Sequence, residues 1–276
     1  MSAATCLRES PIIPFPASSD GVIDHFSPSS LKDYLSCPQK FFLRRVLKIV
    51  KPTPLNCHIG RAVHAGVQAF HLARWREEDE SADKIVAAYH LAFDEPEESV
   101  TVENEEVRLA ARETGERVVR SYLESEEAAL IRSPKGVEVR LVDDFPSLPS
   151  PLVGIIDLVH QDNTPCDFKT VAVTPNVDQE AWQHAFQLTA YQLLIEAATG
   201  ESVPALELVF LVKTKASKVI RHRMPPADDR AKARFWAMAE AAVDGIYHER
   251  WHPQPGMHCT WCQYRTECSN WTGGVL

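Results

Sequence analysis

An α/β fold is the expectation from the order of hydrophobic patterns along this chain. Three observations carry it. Segments of helical spacing and heavy charge fill the first half. A meander of three strand-like runs follows, and then helix, strand, strand and helix in succession. The fold class is thus an α/β core preceded by an all-helical insert.

Residues 1–23 are rich in Pro and Ser and read as a flexible tail. Ser27-Pro28-Ser29-Ser30 offers a helix N-cap with an early proline, and Leu31, Tyr34, Leu35, Phe41, Phe42 and Val46 follow at helical spacing. Pro38 should kink or break that helix. Lys51 to Pro54 reads as a linker, Gly60 to Arg76 as a helix, and residues 82–131 as two charged helices separated by Pro96. Val137 to Val142 alternates like a half-buried strand, and Leu152 to Val159 is apolar enough for a central one. Residues 161–164 form a turn and Pro165 to Val171 a third strand. A helix over Asp178 to Thr199 should stop at Gly200. Strands over Leu206 to Val212 and Lys218 to Arg223 and a helix over Ala227 to Arg250 complete the order.

The 276 residues are 45% hydrophobic, which suits a packed core and excludes a disordered chain. No apolar run is long enough to span a bilayer, and residues 1–20 lack a secretory signal, so a cytoplasmic protein is expected. Seven cysteines in such a chain favour metal ligation or core thiols over disulfides. The net charge of −9 argues against nucleic acid only until its distribution is seen. Glu77 to Glu127 holds 17 acidic and 5 basic residues, whereas the remainder holds 21 acidic and 24 basic. Lys32 to Lys51 and Lys213 to Arg234 are locally basic, and a polyanion senses local fields. The plain alternative for both stretches is solvated surface.

Asp157 lies inside the apolar run Gly154-Ile-Ile-Asp157-Leu-Val, where an unpaired charge is costly. Alternation on the next strand puts Asp167 and Lys169 on one face and Phe168 on the other. Paired through the short turn, the strands bring Asp157, Asp167 and Lys169 together. Two carboxylates suit Mg²⁺ or Mn²⁺, and a lysine beside them can activate water or stabilise negative charge. A buried Asp–Lys ion pair is the plain alternative. Glu138 can add a third carboxylate or be merely exposed. His64 can be a ligand or a core histidine, and Gln187 and Tyr191, at i and i+4, can be functional or packing residues.

Taken in order, Gly60-x-x-x-His64, Glu138, Gly154-Ile-Ile-Asp157, Asp167-Phe-Lys169-Thr and Gln187-x-x-x-Tyr191 resemble the RecB-type branch of the PD-(D/E)XK nucleases. The run from Phe26 to Phe42 is similar to the start of that branch's nuclease domain. The resemblance covers roughly Phe26 to Trp271. It implies a restriction-endonuclease-like αβββαβ core with a helical insert, in one nuclease domain over residues 24–276. Within it, residues 60–131 form the helical insert region, 136–250 the catalytic core and 251–276, with Cys37, a cysteine clip. The implied activity is metal-dependent phosphodiester hydrolysis. His64, Asp157 and Asp167 would be ligands of Mg²⁺ or Mn²⁺, Lys169 the catalytic lysine, Glu138 an accessory carboxylate, and Gln187 and Tyr191 support. Ile156 stands where the family name has proline, a form this branch often takes.

Cys259-x₂-Cys262-x₅-Cys268 places three soft ligands together, a pattern for zinc or iron–sulfur. His258 would complete a Cys₃His zinc site, and Cys37 a Cys₄ site. Iron–sulfur members of the RecB type, AddB-like and CRISPR-adaptation nucleases among them, have one cysteine before the nuclease motifs and three after. The resemblance therefore implies a [4Fe–4S] cluster on Cys37, Cys259, Cys262 and Cys268. Cys6, Cys57 and Cys166 are left as ordinary thiols, with Cys166 facing the core beside Phe168.

The expected function is a DNA nuclease. It lacks a Gly-x₄-Gly-Lys-Ser/Thr phosphate loop and so does not unwind DNA itself. Single-stranded DNA ends, attacked exonucleolytically, are the expected substrate. A helicase or a CRISPR integrase is an expected partner, with recombination, repair and CRISPR adaptation as pathways. The rivals are a catalytically silent subunit that binds DNA ends and a zinc-dependent nucleic-acid-binding module.

Overall fold

The computed structural model describes residues 23–95 and 100–273. The expected tail therefore lies outside the described residues but for Ile23, which is buried against the core. Pro96 also lies outside them.

Helix α1 (Pro28–Ser36) opens on a capping box: Ser27 accepts from the Ser30 backbone N–H, and the Ser30 hydroxyl faces the Ser27 N–H. Pro38 breaks the helix rather than kinking it. Cys37 is extended, and α2 (Pro38–Phe41) begins afresh before running into a π-helical turn, Phe42–Val46. The expected linker contains a two-residue strand β1 (Thr53–Pro54), paired in parallel with β2 (Val100–Thr101). Helix α3 (Leu55–Trp75) starts five residues earlier than its apolar spacing suggests. The insert then holds α4 (Ala82–Asp94), α5 (Glu105–Leu123) and the short α6 (Glu126–Leu130), one helix more than expected; Ser125 starts the extra one by capping Ala128.

Strands β3 (Gly136–Asp143), β4 (Leu152–Val159) and β5 (Pro165–Val171) form the antiparallel meander. Helix α7 (Val177–Thr199) ends at Gly200, whose φ of +71° is the left-handed cap that glycine adopts without strain. It crosses over to β6 (Leu206–Val212), which lies parallel to β5, and β7 (Lys218–Met224) returns antiparallel. The sheet order is β3-β4-β5-β6-β7. Helix α8 (Asp229–Tyr247), a 3₁₀ turn (Met257–Trp261) and α9 (Arg265–Ser269) close the chain.

The sheet is sandwiched. On one face α3, α4 and α5 bury Val63, Val67, Tyr89 and Tyr122 against Leu158, Cys166 and Phe168. On the other, Leu188, Tyr191 and Ile195 of α7 cover Ile156, Leu208 and Phe210. Gly154 lets α7 approach β4, for a Cβ there would meet Leu194 at 2.5 Å. Helices α1 and α8 pack behind α7 through Leu31, Tyr34, Phe235 and Ala239. No helix among the described residues is long and apolar enough to cross a membrane.

Candidate active site

The site forms where the sheet stops being regular. Strands β4 and β5 pair at Val159–Pro165 and Leu158–Cys166, and the ladder ends before Asp157 comes opposite Asp167. The Asp157 carboxylate fills the opening, accepting a hydrogen bond from the Phe168 backbone N–H at 2.8 Å. On the other side of β4 the ladder with β3 is continuous except at the register position that sets Glu138 beside Asp157. Glu138 has φ +51°, a left-handed conformation that costs a non-glycine residue energy. The faces switch at the same place: Ile156 packs with α7, whereas Leu158 packs with the α3–α5 core. Regular alternation would have put both on one side.

Asp167 and Lys169 share a face as expected, with Lys169 Nζ 2.7 Å from Asp167 Oδ2, while Phe168 turns to the opposite core against His71 and Tyr122. Gln187 on α7 donates to Asp167 Oδ1 at 2.9 Å and to the Tyr191 hydroxyl at 2.7 Å, and its carbonyl accepts from Lys169 at 3.4 Å. His64 faces Asp157 from α3, with Nδ1 3.8 Å from Oδ2. The structure thus brings together all seven of Glu138, Asp157, Asp167, Lys169, His64, Gln187 and Tyr191.

The electrostatics show too many carboxylates for the cations present. Burial, then Asp157 and Asp167, push the Glu138 carboxyl up to about 8. Burial and Asp167 likewise raise Asp157. Burial works to lower the Lys169 ammonium, but Asp167 and Asp157 beside it outweigh that and raise it. Three oxygen donors and an imidazole, short of positive charge, are a donor set that fits a hard divalent cation.

Two further residues lie near this site, His184 and Lys32, neither of which its motif includes. His184 shares the α7 face of Gln187, and burial, then Lys169 and Lys32, depress it to about 4. Its helical spacing from Gln187 and Tyr191 was a usable signal. Lys32 arrives from α1, which no local pattern could show. A different cluster, His160, Cys166 and Glu207, has donor atoms within 4.8 Å of one another. Glu207 is already held there by His160 at 3.0 Å and Arg221 at 2.6 Å, so this is a satisfied ion-pair network.

A model of the PD-(D/E)XK nuclease superfamily matches residues 25–269. The chain belongs to that superfamily. Members of the superfamily use divalent metals, in keeping with the donor set above. A solved structure of a "Putative exonuclease" from Eubacterium rectale is similar over 92% of this chain and 89% of its own, at 12% identity and a TM-score of 0.58, a likeness of fold. A second solved structure, SSO0001, aligns over 84% of this chain and 94% of its own at 13% identity and a TM-score of 0.37. No protein of curated function matches the chain.

The cysteines meet on the far side of α1. Cys37, at the break between α1 and α2, lines one cavity of about 110 Å³ with Cys259, Cys262, Cys268 and His258. All four thiols are free, and the Cys268 thiol is raised by burial and then by Cys37, Cys262 and Cys259. The C-terminal segment is tied there by Gln39 N–H to His252 O at 3.0 Å, Tyr264 to Ile49 O at 3.1 Å and Lys51 to Glu267 at 2.5 Å. Trp251 stacks on Phe42, with ring centroids 5.3 Å apart. Cys166 is buried beside Phe168 as expected, and Cys57 is exposed.

Proposed function

We propose that this protein is a Mg²⁺- or Mn²⁺-dependent deoxyribonuclease that degrades single-stranded DNA from its ends, with a [4Fe–4S] cluster joining its termini. One observation carries the catalytic reading: Asp157 and Asp167 converge on Lys169, with Glu138 beside the two carboxylates, where the β4–β5 ladder opens. Asp157, Asp167 and His64 would hold the cation, with Glu138 beside them. Such a cation supplies Lewis-acid polarisation of the phosphate and acidifies water. Hydrolysis adds water across one P–O bond and leaves a phosphate monoester and a hydroxyl.

The chain's own residues divide the remaining work. Lys169, whose ammonium lies 2.7 Å from Asp167, would stabilise the oxygens of the phosphate as negative charge builds there, or would help the attacking water lose its proton. Gln187 hydrogen-bonds both Asp167 and Lys169, and the Tyr191 hydroxyl holds Gln187. Release of product from end-labelled single strands, measured with Mn²⁺, with Mg²⁺ and with chelator, tests this reading. A circular single strand in the same assay separates exonuclease from endonuclease action.

The shared cavity and the crowding at Cys268 support a cluster on Cys37, Cys259, Cys262 and Cys268. A single zinc on Cys259, Cys262, Cys268 and His258 is the second reading. One observation favours it: His258 lines the same cavity and its Nε2 is buried without a hydrogen-bond partner. Visible absorbance and metal analysis decide between them.

A further inference from the structure

We propose that Trp182 and Arg234 form a base-stacking subsite for a single strand whose backbone runs past Lys32 towards Lys169. This rests on the nuclease reading and names the residues that would select its substrate.

Trp182 lies near the start of α7 with 69% of its surface exposed. An indole is a large apolar group to leave in water, and one so exposed contributes little to the core. The Arg234 guanidinium, from α8, sits 5.0 Å from the ring centroid and covers one face of the indole. Between α1, α7 and α8 runs a groove of about 450 Å³, lined by Trp182, Phe186, Phe235, Met238, Lys32 and Arg234. It is apolar along its floor and cationic at its rim.

Lys32 links the groove to the catalytic residues. Its ammonium donates to the Gln183 carbonyl at 2.9 Å, and after burial the groups that most perturb it are Lys169 and Asp167. Gln183 is the neighbour of Trp182, and Gln187, four residues on, touches Asp167. Trp182 and Gln187 are five residues apart on one helix, about 7.5 Å along its axis.

The occupant follows from the chemistry. The two locally basic stretches of the sequence meet here, Lys32 from one and Arg234 from the other, although the chain as a whole carries −9. Cations beside an exposed aromatic ring suit a polyanion with π-faces, and stacking on any base is independent of sequence. A duplex keeps its base faces inside the helix, so only an unpaired nucleotide can use Trp182. The geometry gives this site a preference for single strands without reading bases by hydrogen bonds.

The test is fluorescence anisotropy of a short fluorescein-labelled oligothymidine with the full-length protein in chelator, so that binding is read without cleavage. Trp182→Ala should weaken Kd by about 10-fold or more, and Trp182→Phe should restore most of the affinity. Hydrolysis of bis(p-nitrophenyl) phosphate with Mn²⁺, a single diester with no neighbouring nucleotide to reach Trp182, should be unchanged in both variants. An alanine variant that binds the oligonucleotide within about two-fold of wild type overturns the subsite. A wild-type protein that binds through Trp182 yet hydrolyses neither DNA nor the small diester supports the subsite and removes the catalytic reading. A wild-type protein that hydrolyses the small diester but does not bind the strand removes the subsite alone.

Discussion

Gln187 donates one side-chain amide group to both the Asp167 carboxylate, at 2.9 Å, and the Tyr191 hydroxyl, at 2.7 Å. Its carbonyl meanwhile accepts from Lys169. A single residue on α7 therefore positions both charged residues of β5. Gln187→Ala should leave the fold intact and lower activity by about 10–100-fold, the usual cost of losing a group that orients a ligand. The Mn²⁺ concentration for half-maximal activity should rise as well, which a packing role alone would not produce. An unchanged Mn²⁺ titration would return Gln187 to packing.

Glu138 gives a prediction with a sign. Its folded carboxyl titrates near 8, well above the ordinary 4.5. The unfolded chain ionises first as pH rises, so the wild type loses stability between about pH 4.5 and 8. Glu138→Gln removes that loss. The variant should melt at a higher temperature than wild type at pH 8.5 in chelator and at the same temperature near pH 4, while its nuclease activity falls. Equal melting temperatures at pH 8.5 would show that the carboxyl is not raised by burial and by the neighbouring Asp157 and Asp167.

Much of this was legible from sequence because it is local. Strands β4, β5 and β6 follow from apolar runs bounded by turns, and Asp167, Phe168 and Lys169 follow from alternation. The end of α7 at Gly200 follows from the one residue that takes φ +71° freely. The irregularity that makes the site was not legible. Nothing in the residues around Glu138 announces φ +51°, and strict alternation along β4 would predict one face for both Ile156 and Leu158. Helix α3 starts early because Leu55 and Ile59 continue its apolar stripe at i and i+4, both packing into the cluster that holds Val63. Lys32 and Arg234 meet Trp182 only through the packing of α1 and α8, which no sequence spacing encodes.

His71 offers a pH test away from the site. It is buried and hydrogen-bonded to Tyr122 at 2.6 Å, and burial, then Arg74 and His160, depress it from 6.5 to about 3. The folded state thus holds it neutral. Its contribution to stability is fully present above pH 6.5 and is lost as pH falls towards 3, at up to about 1.4 kcal/mol per pH unit. His71→Gln should flatten the stability curve over pH 6.5–4 by one proton, measured by denaturant unfolding in chelator. An unaltered slope would place the titration elsewhere.

Cys37 and Cys259 are separated by 221 residues, so a cluster joining them closes nearly the whole chain into a loop. Closing it costs on the order of 5 kcal/mol plus a constant, a large part of a domain's ~5–15 kcal/mol stability. A cluster held in the native state offsets that cost. Cys37→Ser should lose visible absorbance and iron, melt lower and express poorly, while His258→Ser keeps both. Retained iron and stability in Cys37→Ser, with metal lost from His258→Ser, would make the site a local zinc knuckle.

If Asp157, Asp167 and Lys169 carry the proposed DNA hydrolysis, cleavage depends on a divalent metal and on each of these side chains. Digestion of an end-labelled single strand by wild type, Asp167→Asn and Lys169→Ala at matched folding, with Mn²⁺ and with chelator, measures both dependences. Wild type should cleave only with metal, and each variant should lose at least about 10²–10³-fold in rate. Cleavage that survives chelation, or that either variant performs at the wild-type rate, would contradict the proposed hydrolysis.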